Sequence, residues 1–275
     1  MTGQVEKVIC SGPIVLLTDF GDLEPYVGQM KGVIAGIAPF CQVVDLCHKV
    51  PARRIDLAAF YLEGSIDFFP AGSVFVAVVD PGVGTARRPI ILFAHRQYFV
   101  GPDNGIFFPL VKGTQFEAVQ IENPKYRLIE VGSTFHGRDI FAPAAAYLVG
   151  GAPIGSYGRR ASALAPLVLP KARREGDAIR GEIIHIDTFG NAWTNISKSI
   201  LQEIGIFGPA KRVHITAGRV EIDGLSSSYL GGSGNTAVAV INSFSLLEIA
   251  YPGASAVEKL DLKQGLPVQA KALGR

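Results

Sequence analysis

The chain has 275 residues, 26 Lys and Arg against 24 Asp and Glu, a formal net charge of +2 and 48% apolar residues. That balance suits a globular protein large enough for one or two cores, and it offers no basic block for nucleic acid or an anionic membrane. No apolar run reaches the roughly 20 residues of a membrane span, the first residues lack a signal-peptide core, and Cys10, Cys41 and Cys47 show no metal-ligand spacing, so a cytoplasmic protein with free thiols is expected.

In chain order, IVLLTDF from Ile14 reads as a buried strand ending in a carboxylate. Tyr26 to Ile37 sets Val27, Met30, Val33, Ile34 and Ile37 on one helical face, and Pro39 stops that helix. QVVDL is a second strand, and Ile55 to Phe68 a second amphipathic helix closed by Pro70. VFVAVVD, Val74 to Asp80, is too apolar for an exposed strand and too short for a helix, so it reads as a central strand of a parallel sheet. IILFA and YFVG follow as strands, and APAAAYLVGG as a helix with Pro143 in its first turn and glycines past its end.

This alternation predicts a doubly wound or layered α/β domain over residues 1–160, with a mostly parallel sheet. Residues 161–176, rich in Pro, Ala, Arg and Lys without periodicity, predict a linker. From 177 to 275 the segments GEIIHIDTFGNAWTNI, KRVHITA, RVEIDGL, TAVAVINSF and SLLEIA are short strands at regular spacing, which predicts a smaller all-β domain.

Four clusters carry chemistry: Asp19 with Gly21, Asp80 with Arg87, Asp103 with Asn104, and His136 with Arg138 and Asp139. Singly, each Asp is more simply a turn residue; jointly, at strand ends where open α/β sheets bind ligands, they mark a site. The segment Gly82-Val83-Gly84-Thr85 lacks a phosphate-loop lysine, and its glycines are better used to bring Asp80 and Arg87 into one space. Adjacent Arg87 and Arg88 face opposite sides in an extended segment, so one of them enters the pocket and Arg88 is read as solvated. His136 by position alone is a cap residue, but beside a carboxylate it can take a proton from water near neutral pH. His48, His95, His185 and His214 are read as structural. In the second domain Asp187, Asn191, Trp193 and Asn195 share one loop, which suits an ammonium, an adenine edge and a stacked ring, or equally a polar turn anchored by Trp.

Seven segments in order, TDFG from Thr18, YVGQMKG from Tyr26, VDPGVGTAR from Val79, PDNG from Pro102, TFHGRD from Thr134, FGNAWTN from Phe189, and NSF with LEIA from Asn242, resemble the S-adenosyl-L-methionine hydroxide adenosyltransferases, the family that also holds fluorinases and chlorinases. The resemblance implies an N-terminal α/β/α domain, a C-terminal β-barrel-like domain and a homotrimer with active sites at subunit interfaces. It implies Asp80, Arg87 and His136 as water-activating residues and Asp19 as the partner of the ribose hydroxyls. Phe135 and Gly137 line the reacting centre, Asp187 and Ser243 lie near the methionine amino group, and Asn191 contacts adenine, with Trp193 in the same loop. Halogenating members carry Tyr at the position of Asp80 and an extra loop after the GT-containing segment; this chain has neither. Glu24, the Arg53–Arg54 pair and Phe244 depart from the family pattern, and Phe244 stands where halogenating members have an Arg for the methionine carboxylate.

The implied reaction is attack of water on C5′ of S-adenosyl-L-methionine, giving adenosine and L-methionine, with no metal or other cofactor. In it His136 is the base, Asp80 orients it or holds the water, and Arg87 stabilises developing hydroxide. The rival expectations are a metal-dependent nucleotide or phosphate hydrolase using Asp19, Asp80, Asp103 and His136, and a non-catalytic sensor of S-adenosylmethionine or adenosine.

Overall fold

The computed structural model describes residues 10–206, 213–231 and 236–273. The first residues read for a signal, and Lys211 and Arg212 of KRVHITA, lie outside the described residues. The chain divides into two compact units between Val168 and Leu169.

The first unit is built on a six-stranded mixed sheet of β1 (Ile14–Thr18), β2 (Val43–Cys47), β3 (Val74–Val78), β4 (Pro89–Ala94), β5 (Gln97–Pro102) and β6 (Glu117–Gln120), in the order β2-β1-β3-β5-β4-β6. β2, β1, β3 and β5 run parallel, whereas β4 pairs antiparallel with both β5 and β6. β3 is central and fully buried, as its unbroken apolar run requires. The antiparallel half comes from IILFA and YFVG being joined by the tight turn at His95 and Arg96, both at positive φ, which turns the chain straight back on itself.

Helices cover both faces. α1 (Tyr26–Ile37) and α4 (Ala142–Val149) pack on one side over a core that includes Ile14, Leu16, Val76, Met30 and Phe141; α2 (Ile55–Glu63) and α3 (Phe108–Val111) pack on the other with Val15, Phe75, Phe99 and Leu62. α2 is shorter than its apolar pattern, because the chain breaks at Gly64 and continues as a single 3₁₀ turn at Ile66–Phe68.

The second unit is an eight-stranded antiparallel, barrel-like sheet: β7 (Arg173–Glu175), β8 (Ala178–Ile186), β9 (Ala192–Ser197), β10 (Val213–Ala217), β11 (Val220–Asp223), β12 (Val238–Ile241), β13 (Leu246–Ala250) and β14 (Pro267–Ala272). Two short helices, α5 (Lys198–Glu203) and α6 (Ala256–Leu260), are each opened by a serine, Ser197 and Ser255, that accepts a backbone N–H. Its core includes Ile179, Ile183, Ile196, Ile215, Leu247 and Val268.

The segment expected to link the domains is shared between the units. Ala161 is buried in the first core, while Arg173–Glu175 forms β7 against β8. What holds residues 161–165 down is Asp103, which accepts the Ala165 N–H at 2.8 Å and the Arg88 guanidinium, Arg88 also donating to the Ala163 carbonyl at 2.7 Å. Arg88 is therefore a clasp and not a merely solvated side chain. No described helix is long and apolar enough to cross a membrane.

Candidate active site

Parallel pairing puts the chemistry on one edge of the first sheet. β1 and β3 run in register, Thr18 opposite Val78, so Asp19 and Asp80 leave neighbouring strands at the same carboxyl end. Burial raises the Asp19 pKa first and the charge of Asp80 adds to it, opposed by the backbone N–H groups of Arg53 and of Asp19 itself. Arg53 presents that N–H from a left-handed backbone, φ 68°. The neighbouring Arg54 is held by Asp56 at the start of α2, so this departure from the family pattern is a satisfied ion pair.

The turn after β3 folds back through Val83 N–H to the Asp80 carbonyl and Thr85 Oγ1 to the Gly82 carbonyl. Gly84 sits at φ 77°, and a Cβ there would strike the Ser133 carbonyl oxygen, so glycine lets this turn lie directly on the segment that leads to His136. Arg87 thereby spans the two: Nε donates to Asp80 Oδ2 at 2.8 Å, and Nη2 donates to the same oxygen and to His136 Nδ1, the latter at 2.7 Å. The Asp80 and Arg87 side chains are 4% and 9% exposed, and the guanidinium lies over the Phe141 ring. Two atoms of this buried pair, Asp80 Oδ1 and Arg87 Nη1, have no hydrogen-bond partner among the described residues.

His136 precedes a π-helical turn, Gly137–Phe141, in which the Ala142 N–H reaches the Gly137 carbonyl before α4 begins. Such turns re-aim side chains at functional positions. Asp139, fully buried within it, accepts Arg138 Nε at 2.6 Å and the Gly132 N–H at 2.9 Å, fixing the loop in front of His136. Phe135 packs edge-on against Phe20 and Tyr26, centroids 5.6 and 5.3 Å away, and any side chain at Gly137 would press on Phe20 and Phe135. Asp19, Asp80, Arg87, Phe135, His136 and Gly137 thus share one edge of the first unit, and the aromatic wall adds Phe20 and Tyr26, which the sequence reading did not single out. Asp103 is taken up by Arg88 instead. Asn104 donates to the Val79 carbonyl at 2.8 Å, bracing the end of the strand that carries Asp80. Among the described residues no group of three or more His, Cys, Asp or Glu is arranged to hold a metal ion.

The second unit holds a cavity of about 640 Å³ lined by Asp187, Asn191, Trp193 and Ser243 together with Tyr229 and Glu248. Asp187 organises its loop: Oδ1 accepts the Phe189 and Asn191 N–H groups, both at 2.9 Å, and Oδ2 takes weaker contacts from Asn191 Nδ2 and Trp193 Nε1 at 3.3 and 3.4 Å. Phe244 packs on Trp193, centroids 4.8 Å apart. Asn195, grouped with these residues by sequence, instead braces the barrel, accepting the Glu182 N–H and donating to the Pro170 carbonyl. Tyr229 and Glu248 were missed; the only signal was a carboxylate inside the apolar run LLEIA.

The charge state of His136 follows from its neighbour. A guanidinium has only donors, so its contact requires a lone pair on Nδ1 and leaves the ring proton on Nε2. Burial first, and then the positive Arg87, lower the His136 pKa below its ordinary value of about 6.5, with Asp80 and Asp139 opposing. Nitrogen NMR of the ring should show the neutral, Nε2-protonated form at pH 7, with protonation only below about 6.5; a proton on Nδ1 at neutral pH would contradict the geometry.

Residues 14–158 match the family described as the SAM hydroxide adenosyltransferase N-terminal domain, and residues 181–269 match the corresponding C-terminal domain. A protein of Thermus thermophilus named (R)-S-adenosyl-L-methionine hydrolase is 38% identical, over 94% of this chain and 98% of its own. One of the same name from Salinispora tropica is 39% identical over 82% and 89%, and a fluorinase of Nocardia brasiliensis 27% over 94% and 96%. The crystal structure of an uncharacterized conserved protein from Thermotoga maritima superposes with a TM-score of 0.87 at 33% identity, covering 94% of this chain and 99% of that one.

Proposed function

The chain belongs to the SAM hydroxide adenosyltransferase family, and from that membership we propose that it hydrolyses S-adenosyl-L-methionine to adenosine and L-methionine, with water attacking C5′ of the ribose. The observation that carries the reading is the buried Asp80–Arg87–His136 cluster, in which one carboxylate oxygen is left without a partner. As the C5′–oxygen bond forms, the C5′–sulfur bond breaks and its electron pair stays on sulfur, so the leaving thioether is neutral and needs no acid. The demand falls on the water, whose proton must go.

We assign the roles differently from the expectation that made His136 the base. Were His136 the base, the protonated ring would aim an N–H at the Arg87 N–H that now donates to Nδ1. Asp80 Oδ1 is the better proton acceptor: an attacking water becomes strongly acidic as it bonds to carbon, so a carboxylate suffices as base. Arg87 holds Asp80 in place, and His136 donates from Nε2 to the oxygen. Asp19 binds the ribose diol, and Phe20, Tyr26 and Phe135 exclude water from the sulfonium side. The cavity of the second unit takes the adenine and the amino acid.

We further propose that the protein acts in the cytoplasm without a metal or cofactor, as a homotrimer whose active sites form between subunits. Free Cys10, Cys41 and Cys47 support the first. For the assembly, support comes from exposed apolar residues flanking each half-site: Leu23 and Ile129 on the loops near Asp19 and His136, Phe189 and Leu230 on the rim of the cavity. Light scattering should give a mass three times that of the chain; a fully active monomer would contradict this.

The function is tested by incubating the protein with excess S-adenosyl-L-methionine, as separate sulfonium epimers, in the presence of a strong chelator. Adenosine and L-methionine should accumulate in equal amounts over many turnovers from the (R) epimer. Stoichiometric binding without turnover would favour a sensor, and loss of activity on chelation a metallohydrolase. Within the active enzyme, His136→Ala should lose roughly 10²–10³-fold in turnover and His136→Gln, which keeps an N–H donor but no basic nitrogen, should recover much of it. A Gln variant as inactive as Ala would return the base role to His136.

A further inference from the structure

Beside Asp19 runs a chain of hydrogen bonds that the proposed reaction does not use. Lys31 Nζ donates to Asp45 Oδ2 at 2.6 Å, Asp45 Oδ1 meets His48 Nε2 at 3.0 Å, and His48 Nδ1 meets Thr18 Oγ1 at 2.9 Å. Thr18 ends β1, directly before Asp19. In a regular strand Asp45 and His48, three residues apart, would point to opposite faces. Here the pairing runs from Leu16 opposite Asp45 to Leu17 opposite Cys47, and the extra residue, Leu46, returns His48 to the face of Asp45. Thr18 shares that face with Ile14 and Leu16, which pack under α1, the helix that supplies Lys31.

The direction of the chain follows from its buried end. Thr18 Oγ1 accepts the Phe20 N–H at 3.3 Å, and its own proton, shielded from solvent, needs a protein acceptor. His48 Nδ1 is that acceptor, which leaves the ring proton on Nε2 for Asp45. Burial alone would raise the Asp45 pKa, but the hydrogen bonds from His48 and Lys31 outweigh it and hold the carboxyl below its ordinary range. An Asp–His–Thr chain also resembles an activated nucleophile, yet Thr18 is fully buried and no substrate reaches it. What the chain does hold is the Asp19 turn. The His48 carbonyl accepts the Gly21 N–H at 2.7 Å, and the segment after His48 brings the Arg53 N–H to the Asp19 carboxyl. The ion pair between Lys49 and Asp22, which joins the same two segments, is exposed at both ends and adds little.

We propose that His48 is a positioning residue for Asp19, acting through Thr18 to fix where the carboxylate meets the ribose diol. This rests on the reading of Asp19 as the partner of that diol.

The test compares the inhibition constants of adenosine and of 2′,3′-dideoxyadenosine, which lacks both hydroxyls. The unaltered enzyme should favour adenosine. His48→Ala should weaken adenosine about 10-fold or more and leave the dideoxy compound within about twofold, so that the preference collapses. Thr18→Val, which removes the hydroxyl and keeps the shape, should do the same, and the two changes together should lose no more than either alone. His48→Asn, whose side-chain oxygen stands in for Nδ1, should restore much of the preference, whereas His48→Gln, which replaces Nε2, should not. Thr18→Val carries the comparison even if His48→Ala fails to fold. An unchanged preference in both variants, or equal losses for the two nucleosides with no rescue by Asn, would overturn the assignment. An unaltered enzyme blind to the two hydroxyls would sink the reading of Asp19 itself, and the proposal with it.

Discussion

Arg87 is the centre on which the cluster in the first unit depends. One guanidinium bonds the Asp80 carboxylate through two nitrogens and turns a third N–H to a neutral imidazole, all in a space where the Asp80 and Arg87 side chains are almost wholly shielded. A buried ion pair of this kind gains little stability net of desolvation, but it imposes an order of charge on its neighbours. The imidazole stays neutral in a fixed tautomer, with its remaining proton on the far side of the ring. The fold meets this requirement with backbone close approach, through Gly84 against Ser133, and with a π-turn held by the buried Asp139.

In the first unit two buried polar atoms, Asp80 Oδ1 and Arg87 Nη1, have no hydrogen-bond partner among the described residues. Folded proteins rarely tolerate this without a reason, because each orphan forfeits the hydrogen bonds it had in the unfolded chain. The large apolar cores of the first unit offset that loss. In the proposed reaction this pair handles the nucleophile.

Much of this architecture was legible in the chain itself. β1, α1, β2, β3 and α4 follow from apolar periodicity and from Pro39 and Pro143, and the joint placement of Asp19 and Asp80 follows from two strands that end in carboxylates. What periodicity could not convey is tertiary in origin. The antiparallel half of the first sheet depends on a two-residue reversal at His95 and Arg96, neither of which is a standard turn former. The segment after residue 160 looked like a linker because its anchors, Asp103 and Arg88, lie some sixty residues and more away. Asp187 was legible as a polar turn or a ligand contact, and its hydrogen bonds make the turn unmistakable. Glu248 was hidden in the opposite way: one acidic residue in an apolar strand signals burial, but its place in the cavity wall is visible only in three dimensions.

The central claim is that water, prepared by Asp80 and Arg87, bonds to C5′ as the sulfonium leaves. The most direct test is turnover of S-adenosyl-L-methionine in ¹⁸O-water, with the label located by mass spectrometry of the product nucleoside. The account predicts one ¹⁸O on the 5′ oxygen of adenosine; label at the sugar's C1′ with release of adenine, or a 5′ product built from another nucleophile, would contradict it.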